Sequence, residues 1–240
     1  MRFLLILILL LMHTNPALPH FLKGEHLLLH YRLREPLRPG KGKPPVIILL
    51  HGVGGNEDNL FTYANRLPEE SLVIAARAPF TLQPGAYAWF HVHFEAGTPV
   101  INAEEAEKSR IILVQFINQV LEKYDADPER VFLLGFSQGA IMSYSLALSR
   151  PEKVKGILAL SGRVLPEIKP VMAAGTKLQR LHVFIGHGTA DAVLPISYAR
   201  AAKALTEQHG IQLNYHEYPV GHETVQEEWA DIAAWLKGLL

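Results

Sequence analysis

The sequence predicts an α/β chain with a doubly wound, mainly parallel sheet, on three observations. Residues 46–50, 72–76, 131–134, 156–160 and 181–185 are short apolar runs rich in Val, Ile and Leu, the pattern of strands covered on both faces. Helical stretches lie between them, and regular alternation of strand and helix feeds a parallel sheet. One strand runs straight into Gly135-Phe136-Ser137-Gln138-Gly139 and then a helical stretch. That strand–turn–helix context is what gives a Gly-x-Ser-x-Gly sequence meaning.

Residues 1–20 open with Arg2 and an apolar run over 3–12. The run has the basic and apolar regions of a secretory leader but is too short to span a bilayer as a helix. Asn15-Pro16-Ala17 is a poor cleavage site. The segment reads as an N-terminal leader or anchor, with membrane contact through residues 3–12. The alternatives are initiation at Met12 and an apolar helix retained against the body or a partner. A leader implies a secreted, periplasmic or membrane-tethered protein, and a start at Met12 a cytoplasmic one. Residues 21–240 read as a single catalytic domain, because no repeat, low-complexity tract or linker interrupts them.

Within that domain, residues 27–33 read as a first strand and 36–45 as a turn rich in Gly and Pro. The strand at 46–50 ends in His51-Gly52-Val53-Gly54-Gly55, and a helix follows from Asn56 to about Leu67. Residues 79–98 read as loop, with Pro84-Gly85 and the aromatic group Tyr87, Trp89, Phe90 and Phe94. Asn102 caps a long amphipathic helix to about Tyr124, with Glu104 and Glu105 favourable at its positive end. After the serine turn come a helix over 140–149, the strand 156–160, an irregular connection over 163–180 and the strand 181–185. His187-Gly188-Thr189-Ala190-Asp191 follows, and Pro195 stands where a helix to about His209 would begin. Residues 211–218 alternate like an edge strand, and Gly221-His222-Glu223 precedes a last helix over 224–239.

Composition narrows the chemistry. Lys+Arg and Asp+Glu balance at 23 each, with no long run of either sign, so nucleic acid is not an expected partner. The chain has no cysteine, which removes disulfides, thiolate nucleophiles and Cys-based zinc sites. His91 and His93 would share one face of a strand, but no third ligand stands near them. No metal is expected.

A serine hydroxyl needs a base to take its proton, and the base needs a group that sets its tautomer and stabilises its charge. A strained backbone at Ser137 would lift its hydroxyl above the sheet edge, and the flanking glycines would avoid collision with neighbouring chain. Among the acids, Asp125 and Asp127 precede the turn and Asp231 lies inside the final helix. Asp191 sits in a loop after a later strand. Among the histidines beyond the turn, His187 precedes Asp191, His209 ends a helix and His216 lies in a strand. His222 sits in a loop before the last helix. Ser137, Asp191 and His222 are therefore the candidate catalytic set. The plain readings are a Gly-rich turn, a capping aspartate and a solvated loop histidine.

An acyl-transfer intermediate also needs donors aimed at its oxyanion. The N–H of Gln138 and the N–H of Val53 are the candidates, with Gly52, Gly54 and Gly55 allowing close approach of that backbone. His51 is read as a support for the loop. Trp89, Phe90 and Gly54 are candidates for the substrate pocket, with core packing as the alternative for the two aromatics.

These motifs, taken with Val193 and Pro195 after Asp191, resemble the phospholipase/carboxylesterase family of small carboxylesterases, lysophospholipases and acyl-protein thioesterases. The likeness covers about residues 25–240. It implies an α/β-hydrolase fold without a separate lid domain and a cofactor-free serine hydrolase. It also implies Ser137, Asp191 and His222 as the triad and Val53 and Gln138 as the oxyanion donors. Trp89-Phe90 matches the family's Trp-Phe pair near the pocket, and the resemblance allows a homodimer. Two features depart from the pattern. Gly55-Asn56-Glu57 lacks the Asp that thioesterase members tend to carry there, and the apolar N-terminus is unusual in a largely cytosolic group. The expected activity is hydrolysis of small-molecule, short- to medium-chain carboxylic esters, because no insertion large enough to cover a long acyl chain is evident. The alternatives are a lysophospholipase or acyl (protein) thioesterase on longer lipidic substrates, and a catalytically silent binding protein on the same fold.

Overall fold

The computed structural model describes residues 22–24, 27–95 and 98–240. The chain forms β1 (Leu22–Gly24), β2 (Tyr31–Arg34), β3 (Val46–Leu50), α1 (Glu57–Phe61) and β4 (Leu72–Ala76). Next come two hairpins, β5 (Phe80–Gln83) with β6 (Ala86–Ala88) and β7 (Val92–Glu95) with β8 (Thr98–Ile101), and then α2 (Ala103–Lys123). β9 (Val131–Phe136), α3 (Gln138–Ser149), β10 (Gly156–Leu160), α4 (Gly175–Leu178) and β11 (His182–Gly188) follow, and α5 (Ser197–Gln208), β12 (Gln212–Tyr218) and α6 (Gln226–Lys237) end the chain.

The main sheet has the order β1-β2-β4-β3-β9-β10-β11-β12. It is parallel from β4 to β12, and the β1–β2 and β2–β4 pairs are antiparallel. The unbroken apolar runs arise because successive side chains serve opposite faces. Val46, Ile48 and Leu50 of β3 join one core with Leu113 and Phe116 of α2, Met142 and Leu146 of α3, and Ala199 of α5. Ile47 and Leu49 join the other with Leu60 of α1 and Trp229, Ile232 and Leu236 of α6. Fully burying a Leu, Ile or Phe side chain is worth roughly 1.5–3 kcal/mol, so both faces are strongly specified. The mainly parallel sheet layered by helices is the α/β-hydrolase architecture expected.

Several boundaries differ from expectation. The strand expected at 27–33 begins at Tyr31, and residues 27–29 bend ahead of it. The helix expected to reach Leu67 stops at Phe61, and a short 3-10 turn covers Ala64–Arg66. The Thr62 hydroxyl donates to Asn59 O at 2.8 Å, a local bond of the kind that competes with helix. Within the stretch expected to be loop, Phe80–Gln83 pairs with Ala86–Ala88 and Val92–Glu95 pairs with Thr98–Ile101, as two short hairpins. The connection over 163–180 carries a 3-10 segment, Pro166–Val171, and α4. Pro195 precedes α5 and is not in its first turn; its carbonyl accepts from Tyr198 N–H at 2.9 Å. The leader or anchor reading of residues 1–20 lies outside the described residues, and among the described residues no helix is long and apolar enough to cross a membrane.

One buried acid makes the packing of α6 pH-sensitive. Glu228 is 2% exposed, and a side chain at Gly186 of β11 would collide with its carboxyl. Burial pushes that carboxyl from the usual 4.5 to about 8, against the pull of the Val225 amide and with the help of Asp231. The folded state then holds a proton that the unfolded chain has released, so this group's stabilisation is complete below about pH 4.5 and is lost towards pH 8. Glu228→Gln should therefore gain stability relative to the wild type as pH rises from 5 to 8, read as urea midpoints. A difference that does not move with pH would remove this role.

Candidate active site

The serine turn is built by contact between backbones. Ser137 has φ +53° and ψ −115°, a left-handed conformation that a side chain rarely adopts. A Cβ on Gly139 would lie 1.9 Å from Leu50 O, and one on Gly135 would lie 2.3 Å from the Gly139 carbonyl carbon. Glycine is required at both positions. Ser137 N–H donates to Leu160 O at 2.9 Å, and Ile141 N–H donates to Ser137 O at 3.1 Å. Strand β9 thus ends one residue before the hydroxyl, and α3 starts one residue after it with its positive end at the serine.

The structure brings Ser137, His222 and Asp191 into one hydrogen-bonded line. Ser137 Oγ lies 2.9 Å from His222 Nε2, and His222 Nδ1 lies 2.7 Å from Asp191 Oδ2. A carboxylate only accepts, so Nδ1–H donates to Asp191 and Nε2 presents a lone pair to the serine hydroxyl. The Phe136 ring packs against His222 with centroids 5.0 Å apart. Asp191 is buried in the loop after β11. Burial pushes its carboxyl up, but hydrogen bonds from His222 and from the Leu194 and Val193 amides outweigh that and hold it below the usual carboxylate range. Its Oδ1 accepts from Val193 N–H at 2.9 Å and Leu194 N–H at 2.8 Å.

His187, set aside on sequence grounds, is buried against this carboxylate. Its Nε2 lies 2.7 Å from Leu194 O and 3.3 Å from Asp191 Oδ2. Nε2–H must donate to the carbonyl, so His187 braces the loop and faces the acid without reaching the serine. Its position four residues before Asp191 was visible in the sequence, but its contact was not.

The loop after β3 reaches the serine closely. A methyl group added at Gly52 would lie 3.3 Å from Ser137 Cβ. Gly54, with φ +77°, turns the chain. The N–H groups of Val53 and Gln138 donate to no carbonyl among the described residues. The Val53 side chain is 53% exposed. His51 lies beneath the loop: Ala78 N–H donates to its Nε2 at 3.0 Å, and its Nδ1–H donates to Gly52 O at 2.7 Å. Burial lowers its pKa, in keeping with a neutral structural ring.

Trp89 and Phe90 do not offer their rings as an open pocket wall. They are 0% and 1% exposed and pack into the core, while their main chain bonds the Gln138 carboxamide. His91 pairs with Glu105 at 2.8 Å and His93 with Glu95 at 2.9 Å. Among the described residues no group of three His, Asp or Glu is placed to hold a metal.

The model of the phospholipase/carboxylesterase family matches residues 37–240. Acyl-protein thioesterase 1 of Candida albicans is 28% identical over 221 residues, covering 84% of this chain and 94% of that protein. Carboxylesterase SOBER1 of Arabidopsis thaliana is 26% identical over 207 residues, covering 80% and 89%. In fold, the chain is similar to the carboxylesterase from Mesorhizobium loti, with a TM-score of 0.77 at 23% identity over 91% of this chain and 99% of that one. The Bacillus cereus carboxylesterase gives a TM-score of 0.75, also at 23% identity, over 90% and 96%. The chain belongs to the phospholipase/carboxylesterase family, and it is a serine hydrolase with the α/β-hydrolase fold.

Proposed function

We propose that residues 21–240 act as one catalytic domain, a carboxylesterase that hydrolyses short- to medium-chain esters through an acyl-enzyme. The observation that carries this is the continuous line from Ser137 Oγ through His222 to Asp191, at 2.9 Å and 2.7 Å. Ser137 Oγ adds to the ester carbonyl while its proton passes to His222 Nε2, and the carbonyl π pair moves onto oxygen. The N–H groups of Val53 and Gln138 receive that oxyanion. Asp191 holds His222 in the Nδ1–H tautomer and stabilises the imidazolium. Collapse expels the alcohol, which takes the proton from His222. Water then repeats the sequence on the acyl-serine and releases the acid.

The exposed Val53 and Val193 side chains stand on the loops carrying the oxyanion donor and Asp191. They supply apolar contact for a modest acyl group. A thioesterase or lysophospholipase reading is favoured by one observation, the acyl-protein thioesterases among the similar curated proteins. The two are separated by rates on p-nitrophenyl esters from acetate to palmitate beside matched acyl thioesters. A short- or medium-chain ester maximum supports the carboxylesterase, and a long-chain or thioester maximum supports the second reading.

Ser137→Ala should lower kcat/KM on the best ester by about a thousandfold or more, leaving the residual scale expected of binding and an oxyanion hole. Its far-UV spectrum and melting temperature should stay those of the wild type. A fluorophosphonate probe should label the wild type at Ser137 and not the variant; failure to label would favour a silent binding protein. Asp191→Asn should cost about 10⁴ in kcat, because an amide facing His222 favours the wrong tautomer. A loss under about tenfold would place the orienting acid elsewhere.

A further inference from the structure

The two amides proposed for the oxyanion come from the loop after β3 and the start of α3, and their separation has to be held by something. The β3–β9 ladder runs to the Leu50–Gly135 pair, and beyond it the chains diverge towards Val53 and Gln138. A short segment beside them, Tyr87 to Phe90, bonds to both. On the Val53 side, Gly54 N–H donates to Tyr87 O at 2.8 Å and Tyr87 N–H donates to Gly55 O at 2.9 Å. The Trp89 indole Nε1–H donates to His51 O at 2.9 Å. On the other side, Trp89 N–H donates to Gln138 Oε1 at 2.7 Å, and Gln138 Nε2–H donates to Phe90 O at 2.7 Å. Ser109 Oγ–H of α2 closes the brace by donating to Trp89 O at 2.5 Å.

We infer that the Gln138 carboxamide and the Trp89 indole are positioning residues, which set the spacing of the Val53 and Gln138 amides for the tetrahedral intermediate. This rests on the esterase reading above. A buried Gln must bond to something, and packing alone would be content with any partner. Here the carboxamide meets an N–H with its oxygen and a carbonyl with its nitrogen, so only one orientation satisfies both. The donor that it meets is the main-chain N–H of Trp89, whose indole anchors the opposite loop, and the acceptor is the carbonyl of the next residue, Phe90. Glutamate would set a carboxylate oxygen against Phe90 O, and methionine would fill the space with no bond. Preorganised donors act on charge that develops in the transition state and gain little from the neutral ester. The brace should therefore affect kcat and leave KM largely alone.

The test uses Trp89→Phe, which removes one N–H, and Gln138→Met, which keeps the backbone amide and loses the side-chain bonds. Rates are normalised to active sites titrated by an ester burst. A trifluoromethyl ketone, whose hemiketal oxygen with Ser137 occupies the oxyanion position, serves as the probe of transition-state binding. The expected result is a loss of about tenfold or more in kcat and a parallel loss in ketone affinity for each variant, with KM within about twofold. Gln138→Glu should be no better than Gln138→Met. Unchanged kcat and ketone affinity in correctly folded Trp89→Phe would overturn the brace, even where Gln138→Met fails to fold. Equal loss in KM and ketone affinity would also overturn it, since that is general damage to the pocket. Ser137→Ala in the same series keeps the two questions apart: if it loses turnover while the brace variants do not, the esterase reading stands and the brace falls.

Discussion

The first turn of α3 and the end of β3 touch through backbone alone, and the active site depends on that contact. Gly139 lies so close to Leu50 O that no side chain can come between them. The approach draws the start of a buried helix under the sheet edge and forces Ser137 into a left-handed backbone, a strain of about 1–3 kcal/mol. That strain persists because its surroundings are over-determined. Leu160 O holds the Ser137 amide, Ser137 O starts the helix ladder, and α3 is buried along nearly its whole length. The same approach puts the Gln138 amide beside the loop that leaves β3. One steric constraint therefore sets the Ser137 hydroxyl, the helix end beneath it and the Gln138 amide, which are the proposed nucleophile and one of the two proposed oxyanion donors.

Electrostatics complete what sterics begin. Asp191 is buried, and a buried carboxylate is tolerated only when its oxygens are well supplied with donors. Two amides of its own loop bind Oδ1, and His222 binds Oδ2. The loop conformation that supplies those amides is the one that turns the carboxylate towards His222. Orientation of the acid and stabilisation of its charge are thus one arrangement.

Much of this was legible in the sequence, for identifiable reasons. The strands at 46–50, 72–76 and 156–160 coincide with expectation because burial on both faces leaves an unbroken apolar run and sharp ends. Ser137, Asp191 and His222 stand out because each follows a strand in a loop, and the structure brings them within hydrogen-bonding distance. The hairpins β5–β6 and β7–β8 were not legible. Their strands are three or four residues long and partly exposed, so they carry no clear alternation. In the sequence Trp89 reads as either a pocket wall or core packing, and its ring is buried in the core. The bonds of its indole N–H and main-chain amide to His51 and Gln138 are not something that composition reveals. The Gln138 carboxamide is similar: its two partners lie far away in the sequence and only folding joins them.

Three histidines near the serine turn show how partners divide the work of one ring. His51 receives an amide proton at Nε2 and gives its own from Nδ1 to Gly52 O; both nitrogens are engaged and the ring is a strut. His187 gives Nε2–H to Leu194 O, and its buried Nδ1 has no hydrogen-bond partner among the described residues. His222 alone of the three has a carboxylate on one nitrogen and a hydroxyl on the other. It is the ring that can accept a proton from the serine with an acid already placed to stabilise the charge. Imidazole chemistry is the same in all three, so the surrounding donors and acceptors decide which ring is fit for the proposed role of base. The loop after β12 supplies that choice by bringing one ring between Asp191 and Ser137.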